Sequence, residues 1–225
     1  MGAGEIASDF VGALAELHFP HVFNPYSDVD LHEDRAEAAS IRRRNLERVL
    51  SAAIGNGVSS VWIARDLGYR GGRRTGLAMT DEPHLAAHGR LFGIDGLGRS
   101  TRGPQIAERT ATTIWNTLSD IDRPVFLWNV FPLHPHLPGD RRTNRLHTRI
   151  ERTATRPFLL RLLDVLRPTQ LVAIGRDAQA ALADLGIGMD VQQVRHPSYG
   201  GQTEFESTAR ALYGVQRRPE PDLFS

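Results

Sequence analysis

Short apolar segments of strand length alternate with amphipathic segments of helix length along this chain, and this alternation limits the folds open to it. The strand candidates lie at residues 58–64, 124–130, 170–175 and 191–198. They are separated or followed by segments with helical periodicity at residues 37–54, 107–121, 155–168, 176–186 and 203–214. Strands that alternate with helices form a parallel sheet covered on both faces. The pattern predicts an α/β protein, a three-layer α/β/α sandwich around a central, mainly parallel four-stranded sheet.

Length and hydropathy narrow the class further. A chain of 225 residues can be built around one hydrophobic core, so a single domain over residues 1–225 is expected. No apolar stretch approaches the roughly 20 residues that a helix needs to cross a bilayer. The first ten residues have no positive segment ahead of an apolar one, so no secretory signal is expected. These features indicate a cytoplasmic protein with no membrane partner.

Two residue types are missing, and each absence excludes a class of chemistry. The chain has no cysteine, which excludes disulfides, thiolate catalysis and cysteine-bound zinc or iron–sulfur clusters. It also has no lysine, so all 27 basic residues are arginine. Schiff-base catalysis therefore lacks its usual side-chain amine.

The arginines concentrate in three segments, at residues 41–45, 65–74 and 141–149. The formal net charge is only +1, so no long-range field attracts nucleic acid to the chain as a whole. A cluster of this kind is typical either of a solvated surface or of a local phosphate-binding face. For each cluster taken alone, both interpretations stay open.

Three polar residues lie at or near the ends of predicted strands: Asp66, Asn129 and His196. Each one alone is also typical of structure, since an aspartate after a strand often caps the next helix and a His-Pro pair often sets a turn. In open parallel sheets, however, the functional site lies outside the carboxyl ends of the strands. The three together predict a shared site at that edge.

Several segments spread over residues 22–214 form an ordered set of motifs: VFNPYSD (22–28), VWIARDLGYRGGRRTGLAMTDE (61–82), ERTATTIW (108–115), LWNVFPLHPHLPG (127–139), TNR (143–145), VAIGRDAQAAL (172–182) and VRHPSYGG (194–201). In this order and at this spacing, they resemble the uracil-DNA glycosylase superfamily. The resemblance implies hydrolysis of the N-glycosidic bond of a pyrimidine nucleotide flipped out of DNA, with DNA as the partner and no cofactor or metal.

The resemblance also implies roles for individual residues. Asp66 matches the carboxylate that stabilises the positive sugar and orients a water, and His196 matches the donor to the leaving base. Asn129 matches the residue that binds the polar edge of the base. Met79 replaces a stacking Phe. Gly68 falls where a Tyr blocks the pyrimidine 5-position in the best-known members.

Residues that grip the DNA backbone follow from the same comparison: Tyr69, Arg70, Arg73, Arg74, Ser198, Tyr199, Gly200 and Gly201. Gly200 falls near the position that often carries an intercalating Leu. The wedge is therefore left open, with Tyr199 or Gln202 as substitutes.

The first motif departs from its relatives, which leaves the substrate open. Relatives mostly have Gly-Glu-Ala-Pro-Gly where this chain has ARDLG (64–68), so Leu67 replaces the proline. The expected substrate is uracil or a C5-modified pyrimidine, and the absence of lysine predicts a monofunctional enzyme without lyase activity. One alternative is an anti-phage defence glycosylase that removes a bulky modified cytosine such as glucosylated hydroxymethylcytosine. A second is a catalytically inactive binder of DNA or abasic sites.

Two further interpretations have weaker support. GYRGG (68–72) after a strand suggests a dinucleotide-dependent enzyme, but the Gly-x-Gly-x-x-Gly spacing is not met. His134, His136 and His147 suggest a metal site, although histidines on a proline-bearing loop more often face solvent or phosphate. Segments 93–104 and 137–148 look flexible and are expected to shape DNA access.

Overall fold

The computed structural model describes residues 1–215 and contains eight α-helices, six strands and a 3₁₀ turn within them. The elements are, in chain order, α1 (Ala3–Ala15), β1 (Val22–Phe23), α2 (Ala38–Asn56), β2 (Ser60–Asp66), α3 (Gly72–Thr75), the 3₁₀ turn (Glu82–His84), α4 (Leu85–Leu91), α5 (Arg109–Leu118), β3 (Val125–Phe131), β4 (His134–Pro135), α6 (Arg149–Leu166), β5 (Gln170–Ile174), α7 (Arg176–Ala183), β6 (Val191–Val194) and α8 (Gln202–Leu212).

A four-stranded parallel sheet with the order β3-β2-β5-β6 forms the middle layer. The predicted fold class is confirmed. β6 ends at Val194, four residues earlier than predicted, and the chain then turns through His196 and Pro197. Proline has no N–H to continue a ladder of hydrogen bonds. β1 and β4 form a separate antiparallel pair.

Helices cover both faces of the sheet because alternate strand residues are apolar on both sides. On one face, Phe10 of α1 packs against Trp128 of β3, with ring centroids 5.6 Å apart. On the other, Trp62 of β2 packs against Phe205 of α8 at 5.8 Å. Residues from α1, α2, α6 and α7 fill the first layer, and residues from α5 and α8 fill the second.

Helices α1, α3 and α4 were not predicted from the sequence, and α6 is longer than expected. α1 buries Phe10 and Val11 completely. α6 begins at Arg149, six residues before the predicted start, and contains Pro157. Its N-terminus is a capping box, in which the Thr148 side chain and the Glu151 carboxylate satisfy each other's backbone N–H groups. The cap stabilises the added turn.

Segment 93–104, which looked flexible in the sequence, contacts the core at several points. Ser100 and Thr101 are 1% and 0% exposed. The Asn45 side chain donates to the Gly98 carbonyl and accepts from the Gly98 N–H, both at 2.8 Å.

None of the helices in residues 1–215 is long and apolar enough to cross a membrane.

Candidate active site

A cavity of about 580 Å³ opens at the carboxyl ends of the sheet strands. Its wall is built from the end of β2 and the loop after it, the start of α5, the segment before α6, the start of α7 and the loop after β6. Among the lining residues are Asp66, Gly68, Met79, Glu108, Gly175 and His196. Parallel strands bring these distant segments to one edge of the sheet, so that Asp66 and His196 line the same cavity, whereas Asn129 does not.

Asp66 is the last residue of β2, and both of its carboxylate oxygens have protein partners. Arg65 donates from Nε to Oδ2 at 2.7 Å, and Arg65 also donates to Asp177 at 2.7 Å. The other oxygen, Oδ1, bonds His147 Nδ1. Because a carboxylate can only accept, His147 carries its proton on Nδ1. The Asp66 side chain is 8% exposed, so these two contacts fix its orientation within the cavity wall.

His147, which the sequence suggested only as a metal ligand, is a direct partner of Asp66 in the structure. Its ring also packs on Phe131 of β3, with centroids 5.7 Å apart. The two partners Asp66 and His147 are 81 positions apart in the chain. No local pattern links residues at that separation.

His196 follows β6, and its contacts determine which ring nitrogen carries the proton. The Ser198 backbone N–H donates to His196 Nδ1 at 3.2 Å, and the Ser198 hydroxyl lies 2.8 Å from the same nitrogen. A backbone N–H cannot accept, so Nδ1 is the acceptor and the neutral ring is protonated on Nε2. His196 therefore offers an Nε2–H donor, and no side chain in residues 1–215 accepts from it.

The surroundings of His196 keep it uncharged at neutral pH. Burial lowers the pKa of His196 below its usual 6.5, the charge of Arg65 lowers it further, and Asp177 opposes both in part.

Two glycines allow the loop to fold closely around the ring. A Cβ at Gly201 would overlap the His196 carbonyl, and one at Gly175 would lie 3.3 Å from its Cβ.

Asn129 is buried in β3 at 1% exposure and does not line the cavity surface. It pairs in register with Ala64, which does line the cavity. The Oδ1 atom of Asn129 accepts no hydrogen bond from the described part of the chain. A buried acceptor left unpaired costs about 1–3 kcal/mol. The role of Asn129 in binding a base therefore stays a prediction. Its support is an unpaired oxygen next to the cavity wall.

Met79 lies in the cavity wall in a backbone conformation that is unusual for its residue type. Its φ is 51°, in the left-handed region that costs a non-glycine residue about 1–2 kcal/mol. Its carbonyl accepts from Trp115 Nε1 at 3.2 Å, which helps to hold this turn against the second core layer. Strain of this kind clusters at functional sites.

Glu108, at the start of α5, also lines the cavity and was not predicted as a site residue. Burial and the neighbouring charge of Asp81 raise the pKa of Glu108 to about 7, while Arg70 lowers it. The sequence did contain a pointer to Glu108, because it is the first residue of the ERTATTIW segment. That segment belongs to the family resemblance, but the resemblance gave Glu108 no role.

Arg73 and Arg74 are buried in α3, so the structure does not support their prediction as DNA contacts. They are 2% and 3% exposed. Arg73 forms ion pairs with Asp30 at 2.5 Å and Glu33 at 2.9 Å, and its guanidinium lies 4.6 Å from the centre of the Phe23 ring. Arg74 shares Glu33 at 3.0 Å. Charges buried and paired in this way hold the glycine-rich loop on the core.

Tyr69 and Arg70 remain accessible beside the cavity. The Arg70 guanidinium lies over the Tyr69 ring at 5.3 Å and donates to its hydroxyl at 2.7 Å. The Tyr69 N–H donates to Asn144 Oδ1 at 3.1 Å, which ties this loop to the segment before α6. Arg176, which lines the cavity, is exposed and forms no ion pair with any residue that the structure describes.

The loop after His196 presents Tyr199 to solvent. Tyr199 is 99% exposed and has a φ of 52°, and Gly200 next to it is also left-handed at 77°. Two other residues of this loop lie against His196 and not in solvent. Ser198 bonds the His196 ring, and Gly201 packs on the His196 carbonyl. Gln202, the other wedge candidate, is the first residue of α8 and donates to Glu206.

The three histidines considered for a metal lie in different contacts. His134 is fully buried, with Nδ1 2.8 Å from the Leu67 carbonyl and Nε2 3.1 Å from that of Arg141. His136 bonds the Leu137 carbonyl, and His147 bonds Asp66. Within residues 1–215, no group of three or more potential ligands is arranged to hold a metal ion.

A family model described as the uracil DNA glycosylase superfamily matches residues 69–213, nearly two thirds of the 225 residues. That match begins three residues after Asp66, so the assignment of Asp66 depends on its position in the cavity. No curated protein sequence matches the chain.

Solved structures give the same fold. The crystal structure of wild-type SMUG2 from Pedobacter heparinus is similar with a TM-score of 0.63, over 95% of this chain and 98% of that chain, at 12% sequence identity. Such low identity shows a shared fold alone. Together with the family match over most of the chain, the strand order and the cavity at the strand ends fit one assignment. The chain belongs to the uracil DNA glycosylase superfamily.

Proposed function

We propose that this protein is a monofunctional DNA glycosylase that hydrolyses the N-glycosidic bond of a flipped-out pyrimidine and leaves an abasic site. The observation that carries the proposal is that Asp66 and His196, from the ends of two different strands, line one cavity. Membership of the superfamily supports the reaction class.

Asp66 acts on the sugar. As the bond between C1′ and the base nitrogen breaks, the bonding electron pair leaves with the base and positive charge develops on the sugar. The carboxylate stabilises that charge and orients a water, whose oxygen bonds C1′ while its proton passes to the carboxylate. Arg65 and His147 hold the two oxygens in place, and each oxygen keeps a lone pair for the water.

His196 acts on the base. The departing pyrimidine carries negative charge on its carbonyl oxygen, and a donor fixed in advance stabilises it without reorganisation. The Nε2–H of a neutral imidazole is such a donor, and Ser198 holds the ring in this tautomer. Asn129 is a further candidate for the base on the strength of its unpaired Oδ1, which lies beneath the cavity surface beside Ala64 and would have to be uncovered for the base to reach it.

DNA is bound by groups around the cavity mouth. Tyr199, fully exposed beside His196, is the candidate that fills the gap left by the extruded nucleotide. Arg70, in the loop after β2, and Arg176, at the start of α7, are both exposed and suit phosphate contacts. With no lysine in the chain, no side-chain amine is available for strand cleavage through a Schiff base.

The size of the cavity favours a substrate broader than uracil. A volume of about 580 Å³ lies in the range of pockets that enclose drug-sized ligands, which are larger than a pyrimidine ring. We therefore include C5-modified pyrimidines among the substrates. Removal of a bulky modified cytosine, as in phage defence, is the second candidate, and the same volume leaves room for its substituent.

Base release from a panel of oligonucleotides tests the proposal. Each oligonucleotide carries one deoxyuridine, 5-hydroxymethyldeoxyuridine or glucosylated hydroxymethyldeoxycytidine, and single-turnover rates are measured. Asp66→Asn should slow release by about 10²–10³-fold because the charge on the transition state loses its partner. Asp164→Asn, an exposed carboxylate on α6, is the matched control and should leave the rate unchanged.

The products separate the remaining alternatives. Strands should break only after alkali treatment, since the enzyme leaves an intact abasic site. Strand breaks without alkali would contradict the monofunctional assignment. Tight binding to abasic DNA without release of any base would instead favour an inactive binder.

A further inference from the structure

Glu108 is the one acidic residue besides Asp66 and Asp177 that lines the cavity within the described chain, and it has no role in the mechanism above. It lies at the N-cap position of α5, but its side chain makes no capping hydrogen bond. Its backbone N–H donates to Asp81 at 2.7 Å, which anchors the residue while leaving the carboxyl group free.

The carboxyl group lies directly against two glycines of the loop after β2. A Cβ at Gly68 would lie 2.6 Å from Oε1, and a Cβ at Gly71 would overlap Oε2. Side chains at either position would displace the carboxyl group. The Glu108 carboxyl therefore occupies the part of the wall that a side chain at position 68 would otherwise fill.

This carboxyl group is unpartnered within residues 1–215. It forms no ion pair and accepts no hydrogen bond there. Two charged groups act on it, Asp81 from the segment before the 3₁₀ turn and Arg70 from the loop after β2, while Asp66 and His196 line the same cavity. A half-buried carboxyl without a partner is costly, and a ligand that enters the cavity can supply the missing hydrogen bonds.

We propose that Glu108 contacts the extruded base and selects bases that present a hydrogen-bonding group to this wall over bases that present an apolar one. The substrate class is thus a pyrimidine with an amide, amidine or hydroxyl-bearing edge at Glu108. This inference rests on the proposed function, since it requires the cavity to receive a base.

The protonation state of Glu108 makes the binding of a base depend on pH. Burial and Asp81 raise the pKa of Glu108 to about 7. Below that pH the neutral acid both donates and accepts, and above it the carboxylate only accepts. A base that needs the donated hydrogen bond binds less well as the pH rises through 7.

Relative binding within a set of bases tests the proposal. The probes are oligonucleotides that carry one uracil, thymine, cytosine, 5-hydroxymethyluracil or 5-hydroxymethylcytosine on 2′-fluoroarabinose, whose fluorine slows cleavage. Affinities are measured by fluorescence anisotropy for the wild-type protein, Glu108→Leu, Glu108→Gln and the exposed control Glu5→Gln on α1. Glu108→Leu should change the ratios between bases by about three- to tenfold, the worth of one hydrogen bond.

The ratios separate a base contact from a structural role. A structural residue would weaken every probe equally, and equal ratios in wild type and Glu108→Leu would overturn the proposal. Glu108→Gln, which donates and accepts at every pH, should keep the ratios that the wild type shows below pH 7 and lose their pH dependence. Pronounced pH dependence in Glu108→Gln would equally contradict the role of this carboxyl.

The outcome is distinguishable from failure of the proposed function. If the wild type discriminates between bases but releases none of them from ordinary deoxyribose, the hydrolase assignment fails and the Glu108 contact stands. If bases are released and the ratios do not depend on residue 108, the hydrolase assignment stands and the Glu108 contact is wrong.

Discussion

Asp66 illustrates how neighbours define the role of a single carboxylate. One oxygen bonds Arg65 and the other bonds His147, so the group is held at both ends before any ligand enters. His196 is fixed in the same manner by Ser198. Catalytic groups held within a fraction of an ångström avoid the cost of reorganisation during the reaction. At the scale of the residue, the site is therefore preorganised.

Replacement of His147 should affect the rate through Asp66. His147→Leu removes the donor to Asp66 Oδ1 and should lower kcat by about 10–10²-fold with little change in KM, because misplaced catalytic groups lose rate. His147→Asn retains an N–H donor near the position of Nδ1 and should recover part of the loss. Single-turnover kinetics on the best substrate measures both variants. Equal kcat in His147→Leu and wild type would rule out the positioning role.

The turn after β6 is an element built around strain. Two consecutive residues, Tyr199 and Gly200, have left-handed φ values, and Gly201 is small enough to pack on the His196 carbonyl. A non-glycine residue pays about 1–2 kcal/mol for that conformation. Here the turn places an exposed aromatic ring beside the cavity. A Tyr at a position that glycine would fill more easily supports the proposed contact of its ring with DNA.

Tyr199→Ala should reduce activity on duplex DNA without destabilising the fold. The ring is 99% exposed, so its removal leaves no cavity in the core. If the ring stacks in the gap left by the extruded nucleotide, its loss should lower the rate on duplex DNA by about 5–150-fold, the range expected for one base stacked on an aromatic side chain. Tyr199→Trp should retain most of the duplex activity.

Single-stranded DNA provides the control for Tyr199. It has no stacked partner to replace, so Tyr199→Ala should change that rate much less. Circular dichroism melting should give the same midpoint for wild type and variant. A variant that loses both activities equally would point to a different role for the ring.

At the scale of the molecule, the unpaired carboxyl of Glu108 in the cavity makes the free energy of unfolding depend on pH. The folded state binds a proton at Glu108 more tightly than the unfolded chain does, since its pKa rises from 4.5 to about 7. The favourable contribution of that proton is present below pH 4.5 and is lost as the pH rises through 7. The contribution of Glu108 to the free energy of unfolding therefore falls across this window.

Glu108→Gln should remove this pH-dependent loss. The shift corresponds to at most about 3 kcal/mol in the free energy of unfolding, and to less where cavity water solvates the carboxylate. Urea denaturation of both proteins at pH 5 and pH 8 measures it, and the variant should gain stability relative to wild type at the higher pH. Parallel stability curves between pH 5 and pH 8 would show that Glu108 is not shifted.

Much of the architecture follows from the sequence alone. Hydrophobic periodicity is local, so the four strands of the sheet and the helices between them were predicted from short windows. Parallel topology then requires the carboxyl ends of the strands to share one edge, which is why Asp66 and His196 could be expected in one cavity. The missed helix α1 lies outside the alternating pattern of predicted strands and helices.

Only the tertiary structure decided which polar residues form the site. Arg73 and Arg74 belong to an arginine-rich loop in the sequence, but folding pairs them with Asp30 and Glu33 inside the protein. His147 joins Asp66 from 81 positions away, and Glu108 reaches the cavity because two glycines leave room for it. Burial and pairing depend on contacts between distant segments, and periodicity within one segment carries no information about them.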